Sequence, residues 1–211
     1  MMVKKYIVLV GDVVKSGKIP DRLRYWKLLR IVTGKINKKY KGKFYAPMVI
    51  LKGDEISAVL KDLSSIYIII KDLQELFYPY QMRFVGVYDK IDVALDTKNA
   101  SLMDGPAFWK ADKYLERLKR EKKNIMFDLG NKTIDIMLTT IANLIAYMKS
   151  NWTEKELEII HLYERYGNQM RVAKECGISQ QAVSNALKRA HWKIVRESEE
   201  KILKVLEKYV R

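Results

Sequence analysis

Glycines at close intervals break the last third of the sequence into short helical segments, and this pattern restricts the fold more than any other feature. Apolar residues at helical spacing predict helices from Thr153 to about Tyr166, from Met170 to Cys176 and from Gln180 to about Ala190. Thr153 and Glu156 have the spacing of a capping box, which marks the start of the first helix. The turn between the last two helices requires a positive φ, which Gly177 tolerates. The predicted layout is a helix-turn-helix.

The same segment has the small and apolar residues that two closely packed helices need. Ala173 lets the two helices approach, and their shared core is predicted to consist of Val172, Ile178, Val183 and Leu187. The segment from about Asn151 to Lys193 resembles the helix-turn-helix units of repressors and sigma factors. The resemblance rests on Val172-Ala173, Gly177-Ile178-Ser179 and Gln180-Gln181-Ala182-Val183-Ser184-Asn185.

In units of this kind the start of the second helix of the motif enters the major groove of double-stranded DNA. Gln and Asn side chains there suit bidentate contact with adenine. The candidates for base edges are Gln180, Gln181, Ser184 and Asn185. Ser179 is expected to cap this helix, and the candidates for phosphate contacts are Arg171, Lys188 and Arg189. A three-helix packing module that does not bind DNA would fit the same pattern.

One more amphipathic helix is predicted from Trp192 to Tyr209. It either pairs two subunits or covers its own domain. A single helix-turn-helix gives limited affinity and specificity, so a homodimer on a palindromic site is the expected solution. The apolar residues of this helix include Ile194, Ile202, Leu203, Val205 and Leu206.

The first part of the chain, residues 1–149, alternates between strand and helix signals. The continuous apolar run Tyr6–Val10 predicts a central strand, and Pro47–Leu51 with Ile56–Leu60 predicts a hairpin. Further strands are predicted at Met82–Tyr88 and Asn124–Leu129, and helices at Pro20–Tyr40, Leu63–Phe77, Pro106–Lys123 and Thr133–Lys149. The apolar positions of the first helix are Leu23, Trp26, Leu29, Ile31 and Ile36. The order predicts an α+β domain with one antiparallel sheet, followed by an all-α domain over residues 150–211.

The charge is concentrated in this first domain. The chain carries a net charge of +15, of which +12 lies before Asn151. Between Lys15 and Lys43 there are eleven basic residues and one acid, Asp21. Clustered Lys and Arg side chains gain affinity for phosphate by releasing counterions, so flanking DNA or a nucleotide is an expected partner. Ion-pair networks in a heat-adapted protein are the alternative explanation of this composition.

Acidic residues occur at two turns of the basic domain. Asp12 follows the first strand, and Asp54 and Glu55 lie at the tip of the hairpin. If the strands are neighbours, these carboxylates project from the same end of the sheet and can hold Mg²⁺, which in turn binds a nucleoside triphosphate. Alternatively, Asp12 and Asp54 are ordinary turn residues beside Gly11 and Gly53.

Motifs at these positions resemble the SatD family over most of residues 5–125. They are Gly11-Asp12-Val13-Val14-Lys15-Ser16, Arg22, Gly53-Asp54-Glu55 and Asp104-Gly105-Pro106-Ala107-Phe108. The same landmarks are more distantly similar to the palm-type catalytic domain of class III nucleotidyl cyclases and diguanylate cyclases, a ferredoxin-like fold. That similarity implies that Asp12 and Asp54, with Glu55 beside them, bind metal. It implies nucleotide contacts at Ser16, Arg22 and Lys52, and a pocket shaped by Asp104 and Gly105.

Two departures from the pattern argue against assigning catalytic residues. Ile56-Ser57 stands where a Phe-Gln usually follows the hairpin acid, and Tyr88-Asp89-Lys90 replaces a second glycine after the fourth strand. The first hypothesis is therefore a DNA-binding transcription regulator whose first domain senses a nucleotide or oligomerises. The alternative is a Mg²⁺-dependent enzyme of nucleotidyl or phosphoryl transfer that the helix-turn-helix targets. A third is an architectural or nucleic-acid-processing protein whose basic stretch contacts DNA.

Cysteine and histidine usage limits the compartment and the metal chemistry. A single cysteine, Cys176, cannot form an intramolecular disulfide, and two isolated histidines do not make a zinc site. The chain has no apolar run long enough to span a membrane. We expect a cytoplasmic protein.

Overall fold

The computed structural model describes residues 4–209. The strands are β1 (Tyr6–Val13), β2 (Phe44–Leu51), β3 (Glu55–Leu60), β4 (Met82–Asp89) and β5 (Ile125–Asp128). The helices are α1 (Arg22–Lys39), α2 (Ile66–Leu76), α3 (Pro106–Glu121), α4 (Lys132–Ser150), α5 (Glu154–Tyr166), α6 (Gln169–Cys176), α7 (Gln180–Arg189) and α8 (Trp192–Tyr209). The chain divides into two compact units, one of residues up to Thr139 with those from Leu203 onward, the other Thr140–Ile202. The predicted domain boundary at residue 149 stays a prediction.

The first unit is α+β, and its five strands form one mixed sheet in the order β2-β3-β1-β4-β5. All eight residues of β1 are buried, which confirms the prediction of a central strand. β1 pairs antiparallel with β3 and β4, and β2 pairs antiparallel with β3. The turn of the β2–β3 hairpin has positive φ at Lys52 and Gly53 (46° and 84°), as tight hairpin turns favour.

β5 differs from the prediction of a wholly antiparallel sheet. It pairs with β4 in parallel, with Phe84 opposite Ile125 and Val87 opposite Asp128. The physical reason is the connection, because α3 carries the chain back along the sheet before β5 begins, and parallel neighbours need such a crossover. β5 lies at the edge of the sheet.

β2 forms the opposite edge of the sheet and is irregular. Its pairing with β3 shifts register between Phe44 and Ala46 and again between Ala46 and Val49. Pro47 lies within the second of these shifts and is exposed, as expected for a proline, which lacks the N–H of a regular strand residue.

Helices cover both faces of the sheet, because successive strand residues project to opposite sides. Val85 and Val87 of β4 belong to a core that includes Ala111 and Leu115 of α3. Gly86, between those two valines, faces the other side, where an added Cβ would collide with Ile66 of α2. α1 packs against β2 and α2. Asp12 alternates with Val8 and Val10 of that core and so lies on the α3 face.

α1 differs from its prediction in both start and buried face. It begins at Arg22, and Asp21 caps it by accepting a hydrogen bond from the Arg24 N–H at 2.8 Å, so Pro20 lies before the helix. Of the five predicted apolar positions, only Leu29 and Ile36 are buried. The buried stripe has a different phase, Tyr25, Leu29, Val32, Thr33 and Ile36. Leu23 and Ile31 are 61% and 55% exposed, and Trp26 is 37% exposed.

The remaining helices follow the predictions closely. α2 begins three residues late, because Leu63–Ser65 forms a 3₁₀ turn. In the second unit α5 begins at the predicted capping box, in which Thr153 and Glu156 satisfy each other's backbone N–H groups. Ile202 and Leu206 of α8 are buried, whereas Ile194 and Val205 are exposed. Among the described residues, no helix is long and apolar enough to cross a membrane.

A small core holds α5, α6 and α7 together. Val172, Val183 and Leu187 are buried in it, and Ile178 packs against it half-buried, as predicted. Gly177 ends α6 with φ 63°, and the next N–H, of Ile178, donates to the Ala173 carbonyl at 3.0 Å. Ser179 begins α7 by accepting a hydrogen bond from the Ala182 N–H at 3.1 Å. The turn between α6 and α7 is therefore held by backbone geometry and by a side-chain cap.

Candidate functional site

The first candidate site is the exposed side of α7. Gln180, Gln181 and Asn185 are exposed, and Ser184 is half-buried. The Gln181 amide donates to Asn185 Oδ1 at 3.0 Å, and the Gln180 amide donates to Gln169 Oε1 at 2.9 Å. These amides therefore pair with one another and present further donors and acceptors to the outside.

Cationic side chains flank this amide row. Lys188 is exposed, and Arg171 lies over the Tyr166 ring with its guanidinium 4.0 Å from the ring centroid. Arg189 has a 68% exposed side chain and donates to Glu156 at 3.3 Å. Burial opposes a low pKa for Glu156, but hydrogen bonds from Thr153 and Arg189 keep its pKa below the ordinary value. Glu156 therefore stays ionised and holds Arg189 beside the end of α7.

The second candidate site is a group of charged side chains at one end of the sheet. Asp12 pairs in register with Glu55 on β3 and with Arg83 on β4. The Arg83 guanidinium donates to both carboxylate oxygens of Asp12, at 3.1 and 3.2 Å. Lys119 of α3 lies 3.5 Å from the same carboxylate. Asp12 is 6% exposed, so its charge is compensated by protein cations rather than by water.

Three carboxyls of this group have a raised pKa. Burial raises the pKa of Asp12, although Arg83 and Lys119 oppose the rise. Burial and the negative charge of Asp112 raise the pKa of Glu55. Burial also raises the pKa of Asp112, against the nearby charge of Lys52, while Asp104 adds to the rise. Closely spaced acids with raised pKa values occur at functional sites and in structural networks alike.

Asp54 belongs to a separate set of contacts at the same turn. Ser16 Oγ donates to Asp54 Oδ2 at 2.5 Å, and the Val13 N–H donates to the Asp54 carbonyl at 3.1 Å. Burial and the charge of Asp54 raise the pKa of the Tyr25 hydroxyl, and Arg22 opposes that rise. The predicted residues Ser16, Arg22 and Asp54 therefore lie within electrostatic reach of one another.

Asp104 and Gly105 precede α3. Gly105 is its N-cap with φ 140°, Pro106 is at the start of the helix, and the Gly105 N–H bonds to Asp104 Oδ1 at 2.7 Å. A side chain at position 105 would meet the backbone N of Asp92 at 2.7 Å. The glycine is needed because the segment after β4 passes against it.

The predicted nucleotide and metal residues are thus divided between two neighbouring groups. Lys52 acts electrostatically on Glu55 and Asp112, and Ser16 and Arg22 accompany Asp54. Within residues 4–209, no three or more His, Cys, Asp or Glu side chains are arranged to hold a metal ion. A site for Mg²⁺ stays a prediction.

Three charged residues of the second site are not among those predicted from the sequence, namely Arg83, Asp112 and Lys119. Arg83 interrupts the apolar run of β4, and a cation within a strand buried on both sides needs a carboxylate partner. That signal was available in the sequence. Asp112 and Lys119 gave none, since charged residues of both types are ordinary within an amphipathic helix such as α3.

The sequence pattern of the SatD family matches residues 6–205. The chain belongs to the SatD family. The match extends well past residue 125, where the predicted resemblance ended, and includes α5, α6, α7 and most of α8. The SatD family therefore covers residues of both compact units. No curated protein matches this SatD family member in sequence.

Solved structures show distant likenesses. A bacterial light-regulated adenylyl cyclase is 12% identical with a TM-score of 0.41, over 58% of this chain and 74% of that chain. Another structure of a bacterial light-regulated adenylyl cyclase is 13% identical with a TM-score of 0.37, over 58% and 42%. A regulator of polyketide synthase expression from Bifidobacterium adolescentis is 9% identical with a TM-score of 0.29, over 96% and 82%.

Proposed function

We propose that this chain is a cytoplasmic transcription regulator in which α6 and α7 form a helix-turn-helix that binds double-stranded DNA. The observation that carries the proposal is the amide row Gln180, Gln181 and Asn185 on the exposed side of a Ser-capped helix. In a major groove these amides would exchange their present hydrogen bonds, Gln181 to Asn185 and Gln180 to Gln169, for those of adenine edges. α7 would then be the recognition helix, held at its angle by the core around Val183.

Phosphate contacts would position this helix without reading sequence. Arg171 at the start of α6 and Lys188 and Arg189 at the end of α7 carry that role in the proposal. Arg189 is oriented by Glu156, and the exposed remainder of its guanidinium is available to a phosphate oxygen.

The remaining parts of the proposal concern assembly and ligand. A homodimer would double the contacts on a palindromic operator, and the exposed Ile194 of α8 is a candidate contact between subunits.

The β1-α1-β2-β3-α2-β4 order of the first unit is that of ferredoxin-like domains, to which palm domains belong. We propose that this unit senses a nucleotide through Ser16, Arg22 and Lys52, or serves in oligomerisation.

Selection of genomic fragments by the purified protein at physiological salt tests the proposal. The selection is run for wild type, for Gln181→Ala/Asn185→Ala and for the matched control Gln81→Ala, an exposed glutamine of the first unit. Enrichment of a palindrome by wild type and control, lost in the double variant, is the expected result. Each nucleoside triphosphate is then added with Mg²⁺, and a changed enrichment names the ligand. The same fragments enriched by the double variant would contradict the proposal.

A second candidate function is Mg²⁺-dependent action on a nucleoside triphosphate. One observation favours it: Asp12 is the register partner of Glu55, and Asp54 is hydrogen-bonded through its carbonyl to the residue after Asp12. These carboxylates would hold the metal, which would neutralise phosphate charge. Because Arg83 and Lys119 already pair with Asp12, this candidate ranks second. Metal-dependent turnover of a triphosphate, abolished by Asp12→Asn or Asp54→Asn, would establish it.

A further inference from the structure

A groove open to solvent runs between α1 and the edge strand β2, and it reaches the hairpin turn at Gly53. Its volume is about 460 Å³, within the range of small-molecule and nucleobase sites. One wall is α1 and the other is β2, and the residues that define them include Trp26, Arg30, Thr33, Gly34, Val49 and Ile50.

Two sets of hydrogen bonds hold the walls in place. The side-chain amide of Asn37 on α1 donates to the Met48 carbonyl and accepts from the Met48 N–H, both at 2.8 Å. The Tyr25 hydroxyl donates to the Gly53 carbonyl at 2.8 Å and fixes the hairpin turn against α1. The groove is therefore preformed, and little ordering entropy is lost when a ligand enters it.

Two features of the groove are explained neither by hydrogen bonding nor by packing within the described structure. Thr33 is 6% exposed, and its Oγ1 has no hydrogen-bond partner among the described atoms. Gly34 lies in the interior of α1, where glycine costs about 1 kcal/mol relative to alanine. An added Cβ at position 34 would meet no described atom within 4 Å beyond its own helix, so packing does not require the glycine.

Trp26 gives the groove an aromatic surface. Its side chain is 37% exposed, and the Arg30 guanidinium lies 4.9 Å from its ring centroid. An exposed tryptophan beside a guanidinium offers a stacking surface and a cation at once, which is how sequence-tolerant single-strand sites hold successive bases.

Most cations of the basic stretch that contains α1 form no ion pair with a described residue. All eleven Lys and Arg residues from Lys15 to Lys43 are exposed. Within the described part of the chain only Lys39 and Lys43 of these eleven form ion pairs, with Asp72 and Asp62. Ion-pair networks therefore do not explain this stretch. Like charges three or four residues apart on a helix repel one another, and a polyanion removes that repulsion.

We propose that α1 and the groove beside it bind single-stranded nucleic acid, with a base stacked on Trp26 and the backbone along the cations of α1. A duplex would satisfy the cations but would leave the apolar groove and Trp26 without a ligand, because its bases are stacked inside the helix. A single strand offers both a free base and phosphates. This inference is independent of the proposed role of α7.

Fluorescence anisotropy with labelled dT and rU 12-mers and a 12-base-pair duplex tests the inference on the full chain. Trp26→Ala is expected to weaken single-strand binding roughly tenfold or more, while Trp26→Phe retains most of it. The matched control is Trp109→Ala, a 60% exposed tryptophan on α3, which leaves binding unchanged. A higher affinity for the dT 12-mer would identify single-stranded DNA as the ligand, and a higher affinity for the rU 12-mer would identify RNA.

A charge test complements the aromatic one. Lys27→Glu/Arg30→Glu is expected to weaken single-strand binding and lower its salt dependence more than Lys113→Glu/Arg120→Glu, which changes the net charge equally on α3. Gln181→Ala/Asn185→Ala should leave single-strand binding intact. A failure of the proposed DNA binding by α7 can therefore be told apart from a failure of single-strand binding by α1. Absence of single-strand binding, or binding that Trp26→Ala does not alter in a protein with unchanged thermal unfolding, would overturn the inference. If the duplex binds as tightly as the single strands and Trp26→Ala alters neither affinity, the stretch is a general surface for polyanions instead.

Discussion

Arg83 lies directly opposite Asp12 in the β1–β4 ladder and donates to both of its carboxylate oxygens. Neither side chain has much access to water, since their exposed fractions are 13% and 9%. A pair of this kind is compensated only while both partners are present, because one charge left alone inside a protein is poorly solvated. Replacing either partner with an uncharged residue is therefore expected to lower the stability of the folded protein.

Arg83→Met is expected to destabilise the protein by about 3 kcal/mol, at the lower end of the range for breaking a buried ion pair. Methionine keeps the apolar stem and removes the charge, while Lys119 continues to offset part of the Asp12 charge. Urea unfolding at pH 7 measures the loss, with the exposed Arg120→Met as control. A change no larger than that of the control would mean that Asp12 is solvated in a way the structure does not show.

Glu55→Gln is expected to stabilise the protein slightly at pH 7, by about 0.5 kcal/mol after allowance for partial exposure. The folded-state pKa of Glu55 lies above its ordinary value of 4.5, so the folded protein binds the proton more tightly than the unfolded chain. Wild type then loses stability as pH rises from 4.5 through the raised pKa. The advantage of the glutamine should be full above that pKa and vanish below pH 4.5. Thermal unfolding across this window checks the sign, and an advantage that grows on acidification would contradict it.

Gly177→Ala is expected to cost about 1 kcal/mol, because Gly177 has φ 63° and alanine is strained there. No described atom beyond the chain neighbours lies within 4 Å of an added Cβ, so the cost is one of backbone conformation. Gly17→Ala is the matched control, since position 17 is equally open and has no left-handed φ. Thermal unfolding of the two variants should differ. Equal melting temperatures would mean that the turn between α6 and α7 relaxes freely.

Gly34→Ala is expected to change stability in the opposite direction, with a gain of about 0.5–1 kcal/mol. The position has an ordinary helical backbone and open space around it. If the groove binds a single strand, the same substitution should lower the affinity for dT or rU 12-mers, because the methyl group narrows the groove. Urea unfolding and anisotropy on one preparation measure both effects. A loss of stability would show that the glycine serves the fold.

Local signals explain why the helices of the second unit could be predicted to within a residue or two. Thr153 and Ser179 start α5 and α7 through hydrogen bonds to backbone N–H groups three residues away. Gly167 and Gly177 end the preceding helices through their own φ. In each case the residues that decide a helix end are its immediate neighbours, so a reading of short windows finds them.

Features that depend on distant residues could not be predicted in this way. The parallel direction of β5 follows from the path of α3, which no residue of β5 encodes. The meeting of Asp12 with Arg83 and Lys119 depends on strand register and on the docking of α3. The buried stripe of α1 was misassigned because Leu23, Trp26 and Ile31 are apolar, yet the phase of the helix on the sheet leaves them outside.

Pro47 and the two register shifts of β2 have a consequence for the behaviour of the protein in concentrated solution. A regular edge strand presents a row of free N–H and C=O groups on which a neighbouring molecule can add a strand of its own. β2 presents an interrupted row, because the proline lacks a donor and the shifts displace the groups around it. This side of the sheet resists strand-by-strand growth into aggregates, although the chain exposes apolar side chains nearby.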